Sequence, residues 1–165
     1  MWRIPKTITE HQFKALLANI RSRKSKLGAK LMFYCGLRVS EVCNLKKKHI
    51  DLSKRRLFVE KGKNLKNRYV PIPGHLLPEL RDFPEEGLGI SRFAFHKAIQ
   101  RAGKKIGLDI HPHILRHSYA TRLLDKGLTI REVQYLLGHS DVSTTQVYTH
   151  VSLRDIQEKM DKLGI

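Results

Sequence analysis

Apolar residues recur at helical spacing over most of the chain, and they alternate with polar residues in one short region only. In the N-terminal part this spacing predicts three helices, over about residues 9–21, over about residues 26–35, and across the segment SEVCNL that starts at Ser40. Thr9 and Gln12 have the spacing of a capping box, which satisfies backbone N–H groups at a helix start. Gly36 is placed to end the second helix, because glycine adopts left-handed backbone angles without steric cost.

The alternating region lies in the middle of the chain. Two β-type runs, RRLFVE and RYVPI, flank the polar and lysine-rich stretch KGKNLKN. They predict a β-hairpin, or two strands of a small sheet, with an exposed basic turn, and Pro71 and Pro73 end it.

The second half of the chain is predicted to be helical again, beginning with a helix that Ser91 caps. Its apolar face holds Phe95, Ala98, Ile99, Ala102 and Ile106, and its outer face holds His96, Lys97, Arg101, Lys104 and Lys105. Another helix covers about 114–127. The next one begins at a capping box of Thr129 and Glu132 and ends at Gly138. The predicted fold class is therefore mostly α with a small antiparallel β-sheet or hairpin (α+β). The predicted core includes Leu31, Phe33, Leu37, Val42, Leu45, Leu115, Tyr119, Leu123, Val133, Leu136 and Leu137.

The charge balance adds a polyanionic partner to this picture. The chain has 165 residues, enough for one domain, and 32 Lys and Arg against 15 Asp and Glu give a net charge of +17. This excess is spread along the chain, which favours nucleic acid as the partner. No apolar run approaches the roughly 18 residues that span a membrane, and no signal peptide precedes the first polar segment. We therefore expect a soluble, cytoplasmic protein that binds nucleic acid, with an anionic membrane as the weaker alternative.

The cysteines and the segment HPHILRHSYA hold candidate reactive or binding residues. Cys35 and Cys43 lack metal-type spacing, and both are predicted to be small buried apolar residues.

His113 and Arg116 stand three residues apart at a helix start, where both side chains would point to one side and favour a phosphate. Such a pair is also a common coincidence on protein surfaces. Upstream, Glu41 stands three residues after Arg38 and can brace it. The alternative for Arg38 and Glu41 is a buried ion pair with a purely structural role.

Taken together, four segments resemble a known family in their order and spacing. CGLRVSEVCNL is followed by the lysine-bearing hairpin that ends in RYVPI, then by HILRHSYAT and by LLGHSDVSTTQVYTHV. They resemble the catalytic domain of the tyrosine recombinases, the phage integrase family, and most closely its Xer-like branch, from about Ile8 to Val151. The resemblance implies the fold of that domain. It also implies an active site made of Arg38, Lys63, His113, Arg116, His139 and Tyr148.

The resemblance further implies a role for each residue in site-specific DNA recombination. Arg38 and Arg116 would hold the non-bridging oxygens of a phosphate in a fixed fork. Tyr148 would be the nucleophile, His113 the proton acceptor or relay, and His139 the donor to a phosphate oxygen. The intermediate would be a 3′-phosphotyrosyl link with a free 5′-hydroxyl, so that religation requires no ATP, no metal and no other cofactor. The pattern leaves three further histidines to packing or capping roles, His111, His117 and His150.

The hairpin departs from the family pattern G-K-G-x-K-x-R. The stretch GKNLKNR keeps Gly62, Lys63, Lys66 and Arg68 but lacks the second glycine. Counting back from VPI through Arg68 without a gap favours Lys63 as the catalytic lysine over Lys61 and Lys66. The basic residues predicted to contact DNA are Lys61, Lys66, Arg68, Lys97 and Arg101.

Full-length recombinases of this type carry a helical DNA-clamping domain before the catalytic one, and this chain starts near that junction. We therefore expect a single catalytic domain over residues 1–165, with the clamping domain absent, as an excised domain or a short natural member. The tail over residues 152–165 should form a helix with an apolar stripe of Ile156, Met160 and Leu163. The resemblance favours docking of this stripe on a neighbouring protomer. The protein would then be a homo-tetramer on double-stranded DNA and a monomer without DNA. Packing on its own chain is the alternative.

Two interpretations come from other classes of protein. The stretch TIREVQYLLGHSDVSTTQVYTH also scans as a helix-turn-helix with Gly138 at the turn, which would make the chain a non-enzymatic DNA-binding regulator. That interpretation makes Tyr148 dispensable and leaves Arg38 unexplained. A domain that binds structured RNA through its charge alone would form no covalent adduct and show little site preference.

Overall fold

The computed structural model describes residues 6–60, 67–138 and 152–165. Within these ranges the helices are α1 (Glu10–Asn19), α2 (Arg23–Cys35), α3 (Val39–Asn44), α4 (Leu77–Arg81), α5 (Arg92–Lys105), α6 (Pro112–Asp125), α7 (Ile130–Leu137) and α8 (Leu153–Lys162). The strands are β1 (Ile50–Asp51), β2 (Arg56–Val59) and β3 (Arg68–Pro71). The structure is mostly helical with one small antiparallel sheet, which confirms the predicted fold class.

Local signals set the ends of the helices. The Thr9 hydroxyl accepts the N–H of Gln12 at 3.2 Å and the Gln12 side chain accepts the N–H of Thr9 at 2.9 Å, so α1 starts with the predicted capping box. Thr129 and Glu132 form the same box at the start of α7. Gly36 ends α2 in the left-handed conformation, as predicted. Each of these contacts joins residues that are close in sequence, so the chain needs no tertiary contact to specify them.

The sheet has the order β1-β2-β3, and both strand pairs are antiparallel. β2 and β3 are the predicted hairpin strands, with Leu57 opposite Val70 and Val59 opposite Arg68. β1 and α4 were not predicted. Because β1 has two residues and α4 has five, neither is long enough to show a recognisable periodicity.

Two apolar clusters form the interior of the described structure. The larger one packs α1 to α5 with the sheet, and in it Phe13 stacks on Phe33 with ring centroids 3.9 Å apart. The smaller one lies among α6, α7 and α8. α6 joins the two, since Leu115 belongs to the larger cluster and Tyr119 to the smaller. All the predicted core residues are buried: Leu31, Phe33, Leu37, Val42, Leu45, Leu115, Tyr119, Leu123, Val133, Leu136 and Leu137.

α8 packs against its own chain. Ile156 and Met160 are 1% and 2% exposed in the smaller cluster. An ion pair of 2.7 Å between Asp161 and Arg55, the residue before β2, connects α8 to the sheet. The single chain therefore shows the stripe packed in cis, and docking on a neighbouring protomer stays a prediction. None of the helices in the described ranges is long and apolar enough to cross a membrane.

Candidate active site

A tight turn between α2 and α3 brings Arg38 to the surface. Gly36 has φ 68° and ψ 24°, and Arg38 then occupies the N-cap position of α3. The backbone N–H of Arg38 donates to Glu41 Oε2 at 2.7 Å, and its guanidinium donates to Glu41 Oε1 at 3.2 Å. The predicted brace is therefore present. Because the Arg38 side chain is still 32% exposed, its guanidinium is held on one side and open to solvent on the other.

Arg116 lies in the second turn of α6, and backbone carbonyls hold its guanidinium. It donates to the carbonyl oxygens of Gly36 and Leu137, the latter at 2.8 Å. Burial and the positive charges of Arg38 and Arg68 lower the pKa of Arg116 to about 10, so the group is still a cation at neutral pH. Its side chain is 12% exposed. The fold therefore sets the direction of this cation before any ligand binds.

The carboxylate of Glu41 has a further partner, Arg68, at the start of β3. Nη1 and Nη2 of Arg68 donate to the two Glu41 oxygens at 2.8 and 2.9 Å, and Nε donates to the Leu136 carbonyl at 2.9 Å. The Arg68 side chain is 8% exposed. The structure thus gives Arg68 internal partners in place of the DNA contact predicted from the sequence. The reason is that α7 and α3 cover this end of β3.

His113 lies in the first turn of α6, one turn before Arg116, and its side chain is exposed. The rings of His111 and His113 are 6.2 Å apart between centroids. His111 stands at the N-cap position of α6 without a capping hydrogen bond from its side chain, and His117 is exposed. Capping by His111 is therefore wrong, while its half-buried ring lies beside His113, and a packing role for the partly covered His117 stays a prediction. Partial burial and the charges of His113, Arg116 and His111 lower the pKa of His117.

Several predicted site residues lie outside the described residues, namely Lys61, Lys63, Lys66, His139, Tyr148 and His150. The elements that lead to them are described. β2 and β3 flank residues 61–66, and α7 with Gly138 precedes residues 139–151. The described part thus brings Arg38, Glu41 and Arg116 together, and the positions of the lysine, the second histidine and the tyrosine stay predictions.

A cleft of about 590 Å³ beside Arg38 is lined by α3, β2 and the start of α5. Its basic lining residues are Arg38, Lys46, Lys48 and Arg92. Sequence reasoning missed the last three, although the run KKK after α3 is a signal of a basic surface. Cys43 also lines the cleft and is partly exposed, so the predicted burial is confirmed for Cys35 and wrong for Cys43, which faces this opening.

Two further basic residues were predicted to contact DNA from α5. Lys97 and Arg101 are both exposed, opposite the buried Phe95 and Ile99. An exposed basic face of this kind can contact a DNA backbone or remain a solvated charged surface, and the DNA contact stays a prediction. In the described ranges, no group of at least three His, Cys, Asp or Glu side chains is placed to hold a metal ion.

Comparisons with known proteins extend over nearly the whole chain. The sequence model described as "Phage integrase family" matches residues 6–154. The tyrosine recombinase XerA of Thermococcus kodakarensis is 38% identical over 177 residues, which cover 96% of this chain and 63% of the relative. The chain therefore spans about three fifths of the length of the curated relatives it matches.

Solved structures agree with the sequence comparisons. The integrase of mycobacterium phage Brujita superimposes with a TM-score of 0.81 at 26% identity, over 99% of this chain and 59% of that one. The XerH site-specific recombinase, solved in a pre-cleavage complex with its difH substrate, gives a TM-score of 0.65 at 26% identity, over 93% of this chain and 53% of that one. These likenesses confirm the predicted fold of a recombinase catalytic domain.

Proposed function

Because the chain belongs to the phage integrase family, we propose that it is the catalytic part of a site-specific DNA recombinase that cleaves and rejoins DNA strands through Tyr148. One observation carries the proposal. The fold holds the guanidinium groups of Arg38 and Arg116 beside the Glu41 carboxylate, at 3.2 and 3.9 Å from its oxygens, and the Leu137 carbonyl fixes the direction of Arg116. Two fixed cations suit the two non-bridging oxygens of one phosphate, whose charge grows as a pentacoordinate state forms.

The proposed chemistry balances without an external reactant. The phenol oxygen of Tyr148 attacks phosphorus, the bond from phosphorus to the 5′ oxygen breaks, and the phosphate stays on the 3′ end as a phosphotyrosyl ester. His113 accepts or relays the phenol proton, His139 donates to a phosphate oxygen, and Lys63 protonates the departing 5′ oxygen. Attack by a 5′-hydroxyl of another strand reverses these steps. Because the phosphotyrosyl ester keeps the energy of the phosphodiester bond that was broken, rejoining requires neither ATP nor a metal ion.

The partner in this proposal is double-stranded DNA. The net charge of +17 suits a polyanion, and the related XerH recombinase was solved bound to its difH substrate. Exchange between two duplexes requires a cut in every strand, so the active assembly is a homo-tetramer on DNA, with monomers in the absence of DNA. Its place in the cell is the cytoplasm, on the nucleoid.

The test is the capture of a covalent adduct. The protein is incubated with a pool of nicked duplexes of random sequence and denatured in detergent, and the DNA that stays on the protein is enriched over successive rounds. A nick traps the adduct because the short cleaved end diffuses away. On the enriched duplex the wild-type chain should give a slower protein band and Tyr148→Phe should give none. The same band from both proteins would show that another residue is the nucleophile.

The other two interpretations lead to different outcomes in this experiment. A helix-turn-helix regulator or an RNA-binding domain would retain no DNA in detergent, and Tyr148→Phe would behave like the wild type. Neither class of protein requires a guanidinium such as Arg116 to be held by two carbonyls beside Glu41. The site therefore favours the recombinase.

A further inference from the structure

The Glu41 carboxylate lies where it would compete with DNA. Its side chain is 11% exposed, among the guanidinium groups of Arg38, Arg68 and Arg116. A DNA phosphate and this carboxylate are both anions that seek the same donors. The arginine that pairs most closely with Glu41 is therefore not free to bind a phosphate. The distances to the Glu41 oxygens identify this arginine.

Arg68 is the main partner of the Glu41 carboxylate. Its two terminal nitrogens pair with both Glu41 oxygens at 2.8 and 2.9 Å, in a bidentate arrangement. Arg38 makes one guanidinium contact at 3.2 Å, and Arg116 stays 3.9 Å away. Exposure separates Arg38 from the other two, since the side chain of Arg38 is 32% exposed and those of Arg68 and Arg116 are 8% and 12% exposed. The buried cation satisfies the buried anion, and Arg38 keeps an open side.

The charge state of Glu41 agrees with this geometry. Burial by itself would raise the pKa of the Glu41 carboxyl. The hydrogen bonds and the charge of Arg68, with the Arg38 N–H and the charge of Arg116, outweigh burial and hold that pKa below its usual value. The described groups that face this carboxylate from α3, β3 and α6 are all cationic, and Arg68 is the dominant one. Without it, Glu41 would draw on the two arginines that face the phosphate.

Arg68 also joins two parts of the site through its third hydrogen bond. Its Nε donates at 2.9 Å to the carbonyl of Leu136, in the last turn of α7. Gly138, which ends α7, lies against the same side chain, and a Cβ added there would be 2.8 Å from Arg68 Cδ. β3 follows residues 61–66 in the chain, and α7 precedes residues 139–151. One guanidinium thus connects the elements that lead to both segments.

We propose that Arg68 is a positioning residue of the active site, which satisfies Glu41 so that Arg38 and Arg116 remain available to a DNA phosphate. Its third hydrogen bond holds the end of α7 against β3. These are the elements that adjoin residues 61–66 and 139–151, which bear the remaining predicted site residues. This inference rests on the proposed function, because it concerns the same phosphate site. A lysine cannot replace Arg68, since one ammonium group does not offer a parallel pair of donors and a third at a fixed angle.

The first measurement does not depend on recombination. In protein labelled with ¹³C at the glutamate carboxyls, the Glu41 signal, assigned with Glu41→Gln, reports protonation of that group. The wild type should titrate below the ordinary glutamate range, and Arg68→Met should titrate higher by roughly 1 to 3 pH units, because an adjacent opposite charge is lost. The matched control Arg56→Met removes an arginine of β2 that lies 3.7 Å from Asp51, and it should leave the Glu41 midpoint unchanged. An unchanged midpoint in Arg68→Met overturns the inference.

The second measurement is the rate of adduct formation on the enriched duplex. Arg68→Met should be slower by roughly 10- to 100-fold, the scale of a hydrogen bond to a charged group, and Arg56→Met should be close to the wild type. Adding Glu41→Gln to Arg68→Met removes the unpaired anion, while the amide oxygen still caps the Arg38 N–H. The double variant should therefore regain about 10-fold over the single one. A residue that only stabilises the fold would give no recovery, and that result also overturns the inference.

Arg68→Lys covers the case in which Arg68→Met shows no cooperative unfolding transition. Lysine keeps the charge but loses the bidentate pair and the bond to Leu136. The Glu41 midpoint should then stay low while adduct formation slows, and a wild-type rate would overturn the inference. If the wild-type chain itself forms no adduct, the proposed function fails, and the carboxyl titration still decides whether Arg68 holds Glu41.

Discussion

In the proposed reaction the departing 5′ oxygen needs a proton when the tyrosine attacks, because an alkoxide is a very poor leaving group. A lysine on a β-turn can reach that oxygen and donate. The strand register helps to identify it. Since Val59 lies opposite Arg68, residues 60–67 make up the connection between β2 and β3. Lys61, Lys63 and Lys66 all lie within this connection, and the resemblance favours Lys63 among them.

The lysine can be identified by changing the leaving group. Lys63→Ala should lose roughly 10²- to 10⁴-fold in cleavage of normal DNA. It should recover most of this on a duplex whose bridging 5′ oxygen is sulfur, because a thiolate leaves without a proton. The matched variants Lys61→Ala and Lys66→Ala should show modest, salt-sensitive losses that sulfur does not rescue. Adduct formation on both duplexes is the measurement, and rescue of Lys61→Ala in place of Lys63→Ala would show that the register is shifted.

Among the elements, the turn between α2 and α3 controls the spacing of the site. Gly36 directs the chain toward Arg38, and its carbonyl accepts from Arg116 of α6. Tyr119, also on α6, is fully buried against this turn, and a Cβ on Gly36 would lie 2.4 Å from Tyr119 Cδ1. Close approach of this glycine therefore sets the distance between Arg38 and Arg116.

Gly36→Ala tests this close approach. The left-handed backbone costs about 1–2 kcal/mol for alanine, and overpacking a core adds about 1–3 kcal/mol, so the free energy of unfolding should fall by about 2–5 kcal/mol. Gly107→Ala is the matched control, because Gly107 has φ 72° and no atom within 4 Å of an added Cβ. It should lose only the backbone contribution of about 1–2 kcal/mol. Urea unfolding of both variants measures the difference, and equal losses would contradict a packing role for Gly36.

At the scale of the whole molecule, α8 can pack on its own chain or on a neighbouring protomer. In the single chain Ile156 and Met160 fill a groove formed with Leu123 and Val133. A neighbouring protomer carries the same stripe and the same groove, so exchange of α8 would reproduce the contacts and link the subunits. Cis packing describes the monomer, and exchange between protomers on DNA stays our prediction.

Removal of the tail separates these arrangements. Deletion of residues 153–165 should slow strand exchange far more than it weakens DNA binding if α8 links subunits, since the link matters only in the assembly. Cleavage, exchange and affinity are measured on the enriched duplex. Arg154→Ala, on the exposed side of α8 with a side chain 87% exposed, is the control and should leave all three unchanged. An unchanged exchange rate in the deletion variant would rule out docking in trans.

Helix ends, the hairpin strands and the core positions were readable from the sequence. Thr9 with Gln12 and Thr129 with Glu132 act between neighbours in the chain, so their spacing alone specifies a helix start. Core residues such as Leu115 were recognised because helical periodicity separates a buried face from an exposed one. Arg38, His113 and Arg116 were found through the resemblance of whole motifs, since each pair alone has an ordinary structural explanation.

The partners of the charged groups depended on tertiary structure. The lysine-rich sequence before Arg68 predicts a DNA contact for this residue, yet its guanidinium pairs with Glu41, 27 residues away, and with the carbonyl of Leu136, 68 residues away. Arg116 is held by the carbonyl of Gly36, 80 residues away. Whether a guanidinium is open to DNA or enclosed by protein depends on what packs opposite it, and local sequence carries no record of that. Spacing along the chain therefore specified the elements, while packing between them decided which arginines can face a phosphate.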